Sequence, residues 1–147
     1  MAEHPNNTDL ADRLTKRRAR MMPALAVLFL AQQASYFSRI PGERLVDHVR
    51  IGAWVALSAV LLAVLTTGGF WLRSAAVRAL MNDEVTRANR AAAMQFGLVL
   101  ALGGGIALYP FIDQLGLNAR QVIHLIVSLG LAAAMLRFGM LERRALG

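Results

Sequence analysis

The sequence predicts an all-α integral membrane protein: a compact bundle of four transmembrane helices with both termini in the cytoplasm. Three observations predict it. The 147 residues are 56% apolar and only 17% charged, with a mean hydropathy of +0.47. Ordinary soluble domains are nearer about 45–50% apolar and about 25% charged. Two stretches, residues 51–72 and 91–112, run for 22 residues each without a charge. The 16 basic residues also fall unevenly on the two sides of a four-span layout. The length allows one domain. The absence of Cys excludes disulfides, thiolate metal sites and thiol catalysis.

Residues 1–20 read as a basic cytoplasmic tail. Residues 1–7 are polar and expected to be disordered. Thr8 is placed to cap a short amphipathic helix, with Asp9 and Asp12 near its start and Lys16 to Arg20 near its end. Arg13, Lys16, Arg17, Arg18 and Arg20 are the candidate lipid or partner contacts, as a basic surface on an anionic leaflet.

The first span is residues 21–38, uncharged for 18 residues but carrying Gln32 and Gln33. Charge arithmetic argues that it crosses. With four spans, the tail, the loop after span 2 and the C-terminal end share 12 Lys and Arg, against 4 opposite. If the first segment lies flat, the counts become 7 and 9. Basic residues near short loops mark the cytoplasmic side, so the 12-to-4 division favours four spans.

Pro41-Gly42 marks the outer turn, and the next helix is expected to start near Glu43. The second span is residues 51–72, in which Thr66-Thr67-Gly68-Gly69 is a weak point. Asn82-Asp83-Glu84 is a helix start, with a capping side chain before acids in the first turn. It predicts a cytoplasmic hairpin around residues 80–83. The third span is residues 91–112, with Gly103-Gly104-Gly105 assigned to close packing or a weak point. Asn118 and Gln121 have capping-box spacing at the start of the fourth span, residues 120–141. Arg137 lies near enough to its end to snorkel. Short loops predict that consecutive helices are antiparallel neighbours.

Small residues recur at helical spacing: Gly52, Ala56, Ala59 and Ala63 in span 2, Gly97, Ala101 and Gly105 in span 3, and Gly130 and Ala134 in span 4. They are the candidate helix-packing positions, because small side chains let backbones approach closely in lipid. Tyr36, Phe37, Trp54, Phe70, Trp71, Tyr109 and Phe111 fall at span ends, as interfacial belts do.

No Asp, Glu or Lys lies within these spans. That argues against ion-coupled export, which needs embedded ionisable groups. His48 and His124, both toward the outer side, are the candidate cofactor ligands. With no further His, Cys or acidic motif, no cofactor, metal site or catalytic residue is assigned. The outer charges Glu43, Arg44, Asp47, Arg50, Asp113 and Arg120 read as a solvated rim.

The expected function is therefore that of a non-enzymatic accessory, assembly or regulatory protein of a bacterial inner membrane. Its partners are an anionic cytoplasmic leaflet and another membrane protein or a second copy, with no nucleic acid. The alternatives are an oligomeric small transporter or channel subunit and a haem- or metal-binding membrane module.

Overall fold

The computed structural model describes residues 5–37, 44–69 and 74–146. All regular structure in these residues is helical: α1 (Pro5–Phe37), α2 (Arg44–Thr67), α3 (Ala75–Met81), α4 (Glu84–Leu108), a 3-10 turn (Tyr109–Phe111) and α5 (Ala119–Ala145). Among the described residues, three helices are long and apolar enough to cross a membrane: α2, α4 and α5.

Several boundaries differ from the sequence reading. The tail and first span are one helix of 33 residues, with Thr8 inside it rather than capping it. Pro23 does not break it. α2 stops at Thr67, where Gly68 and Gly69 take φ of +83° and +70°. Such left-handed geometry is open to glycine and ends a helix, so the weak point is a terminus and the expected span to residue 72 is too long. The expected turn at Pro41-Gly42 and the aromatic pair Phe70 and Trp71 lie outside the described residues. So do the side chains of Tyr36 and Phe37.

The connection between α2 and α4 contains an extra element, α3, capped by Ser74. α4 starts where the sequence marks it, but Asp83 rather than Asn82 is its cap, accepting from the Thr86 N–H, and Asn82 instead closes α3. α4 continues through Gly103-Gly104-Gly105 and gives way to the 3-10 turn that contains Pro110. The capping box at Asn118 and Gln121 forms as its spacing predicts, with both hydrogen bonds at 3.0 Å.

The packing is centred on α5. Half of its apolar window is buried, against 17% for α2 and 11% for α4. α1 and α4 both pack along α5, α2 touches it more lightly, and α3 lies on α1. Sequence order therefore does not set the neighbours throughout: α1 packs on α5 and α3 rather than mainly on α2. The core joins Met22, Ala26 and Phe29 of α1 to Leu61 and Leu65 of α2, Ala93 of α4, and Leu131, Met135 and Phe138 of α5. A smaller cluster joins Ala11 and Leu14 to Val77 and Met81, seating α3.

Close approach of α4 to α5 depends on missing side chains. A Cβ on Gly97 would lie 2.6 Å from the Gly130 carbonyl oxygen and 2.8 Å from the Ala134 Cβ. A Cβ on Gly130 would lie 2.9 Å from that of Ala101. Gly105 sits over Ile126. The equivalent stripe on α2 is different: Gly52, Ala56 and Ala59 are exposed, and Ala63 is half-buried.

Candidate functional site

The buried faces of α1 and α5 can be read along their helical period. On α1 it runs Leu14, Arg18, Met22, Ala26, Phe29, Gln33, and on α5 His124, Ser128, Leu131, Met135, Phe138, Glu142. Steps of three and four residues keep each set on one face. From Arg18 to Gln33 on α1 and from His124 to Glu142 on α5, each stripe is apolar in the middle and polar at its ends. The helices run antiparallel, so the polar ends meet: Arg18 with Glu142, and Gln33 with His124. These two contacts fix the register of α1 on α5.

At one end, Arg18 is 1% exposed and Glu142 is 2% exposed. The Arg18 Nη2 donates to Glu142 Oε2 at 2.5 Å and lies 3.2 Å from both the Met81 carbonyl and Thr86 Oγ1. Its guanidinium stands over the Phe138 ring, 5.4 Å from the centroid. Asn89 donates to the other Glu142 oxygen at 3.2 Å. Four elements, α1, α3, α4 and α5, thus converge on one ion pair. Arg18 Nε and Nη1 have no hydrogen-bond partner among the described residues, so the cation's desolvation is offset chiefly through one nitrogen.

This centre corrects the sequence reading. Arg18 was grouped with a surface patch, whereas its side chain is buried. Arg13, Lys16, Arg17 and Arg20 are partly or largely exposed on the same helix. The signal was present in the spacing: Arg18 stands four residues from both Leu14 and Met22. Glu142 lies one residue beyond the expected fourth span and four residues after Phe138.

At the other end, His124 is stacked on Trp54, with ring centroids 4.3 Å apart, and its Nε2 contacts Gln33 Oε1. Trp54 Nε1–H donates to Ser128 Oγ at 3.3 Å. Trp54 is therefore an interior tie from α2 to α5 rather than a member of a lipid-facing belt. Tyr109 and Phe111 are exposed at 78% and 51%, as belt residues are. The structure brings His124 together with Gln33, Trp54 and Ser128, while His48 is exposed on α2, two turns before Trp54. A metal or haem iron at His124 Nε2 would have to displace Gln33. Among the described residues, no group of three or more His, Asp or Glu is placed to hold a metal ion.

Chemically, both polar clusters hold helices together. The chain matches no family model, and neither a curated protein nor a solved structure matches it.

Proposed function

We propose that the chain is a four-span protein of a bacterial inner membrane, with both termini cytoplasmic, that acts by associating with another membrane protein. The four-span reading is supported by α1. It runs beside α5 from Ala19, whose carbonyl accepts from Arg143 Nε, to Gln33 at His124. Those 14 residue steps of α1 rise about 21 Å, alongside the apolar stretch of α5. Gln33, a polar residue of this run, is buried against α5. The orientation rests on the 12-to-4 division of basic residues.

The observation that carries the functional reading is the contrast between two small-residue faces. α4 uses Gly97 and Ala101 against α5, while Gly52, Ala56 and Ala59 leave α2 open to close approach by another helix. Purification in mild detergent followed by mass spectrometry tests it. A stoichiometric second membrane protein, lost in Ala56→Leu/Ala59→Leu, is expected. A partner-free monomer refutes the reading. A homo-oligomer that passes solute in liposomes replaces it with a channel or transporter, and a Soret band replaces it with a haem module.

A further inference from the structure

A cleft between the N-terminal half of α1 and the C-terminal end of α5 is lined by Lys16, Ala19, Arg20, Arg143 and Leu146. Three of these five are cations, and none is an acid. Arg143 is tied to the far wall, its Nε donating to the Ala19 carbonyl at 3.2 Å. Glu142, the neighbouring acid, is buried against Arg18 at 2.5 Å, so its charge is already matched. The cleft therefore presents net positive charge.

What lies beyond the cations identifies the ligand class. Ala24 is four residues past Arg20 and exposed, and Val27 and Leu28 follow at 60% and 66% exposure. On α5, Met140 is three residues before Arg143 and 47% exposed. Residues three and four apart share a helix face. A cationic mouth thus opens onto an apolar track on both helices. Arg20 is also the last charge before the uncharged run of 18 residues on α1, which puts the mouth at the edge of the apolar layer, where lipid phosphates lie.

We propose that this cleft binds one anionic glycerophospholipid, its phosphate held by Lys16, Arg20 and Arg143 and an acyl chain laid along Ala24, Val27 and Met140. A free phosphate would use the cations but not the track. The site is independent of any protein partner.

The test is native mass spectrometry of the full chain, released from non-ionic detergent containing equal phosphatidylglycerol and phosphatidylcholine. One retained phosphatidylglycerol per chain is expected, favoured about tenfold or more over phosphatidylcholine. Lys16→Gln/Arg20→Gln should abolish the preference. Both side chains are exposed, and circular dichroism checks that the helices persist. Arg78→Gln/Arg87→Gln removes the same charge elsewhere at the same end and should retain the preference. Excess glycerol 1-phosphate should leave the lipid bound. Equal retention of the two lipids overturns the proposal. So does an equal loss in both double variants, which would mean diffuse charge, or displacement by that excess of glycerol 1-phosphate, which would mean a simple anion site.

Discussion

Replacing Glu142 with leucine removes one half of an ion pair whose members are 1% and 2% exposed. Arg18 then keeps only neutral acceptors, Met81 O and Thr86 Oγ1, at 3.2 Å. Stranding a buried charge costs about 3–5 kcal/mol. For a chain of this length, each kcal/mol moves the midpoint by roughly 2–4 °C, so the expected fall in Tm is about 6–20 °C. Thermal unfolding followed by circular dichroism in detergent measures it. Glu142→Gln keeps acceptors for Arg18 and Asn89 and should fall less. Arg18→Met/Glu142→Leu should recover most of the loss, because an apolar pair of similar volume avoids desolvating either charge. If the double variant is as unstable as the sum of the singles, or if Glu142→Leu shifts Tm by less than about 2 °C, the buried pair is not what pins these helices.

The α4–α5 seam gives a matched pair of tests. Gly97→Val forces a side chain against Gly130 and Ala134 and should cost at least about 1–3 kcal/mol by overpacking. Gly103→Ala meets nothing within 4 Å and should be neutral or stabilising by up to about 1 kcal/mol, read as Tm. Trp54→Phe keeps a ring on His124 but loses the donor to Ser128, and a drop of about 1 kcal/mol in thermal stability is expected. The chain has no cysteine, so single cysteines report topology cleanly. Cysteines at Thr8 and Ala79, both exposed, should react with an impermeant maleimide only after permeabilisation, and one at Gln114 should react in intact cells. Labelling of Thr8 and Ala79 from opposite sides would contradict four spans.

Local chemistry was legible in the sequence, and long-range chemistry was not. Asn118 caps α5 as its spacing predicts, because a cap needs only the next three residues, and the start of α4 is off by one residue, at Asp83 instead of Asn82. The end of α2 was half legible: Gly68-Gly69 signalled weakness, but the apolar residues beyond it suggested continuation. The centrality of α5 was not legible, because hydropathy is alike in α2, α4 and α5, at 2.0, 1.8 and 1.9, and does not say which helix is surrounded. Arg18 was misplaced because charge was counted by region rather than by helix face. His124 was singled out, but its partners Gln33 and Trp54 come from other helices, and no spacing within one segment joins them. The α2 and α4 small-residue stripes look alike in sequence and differ only in what stands opposite.

The central position of α5 also bears on how the chain is made. The helix that organises the others follows all of them in the sequence, and Glu142 lies 124 residues after Arg18. While a ribosome is still translating the first four helices, α1 and α4 lack the surface on which each packs. Arg18 has as yet no counter-ion from α5. The native arrangement can therefore form only after the fifth helix has left the insertion machinery. Chains halted before Ala119 would present unassembled apolar helices with an unmatched Arg18.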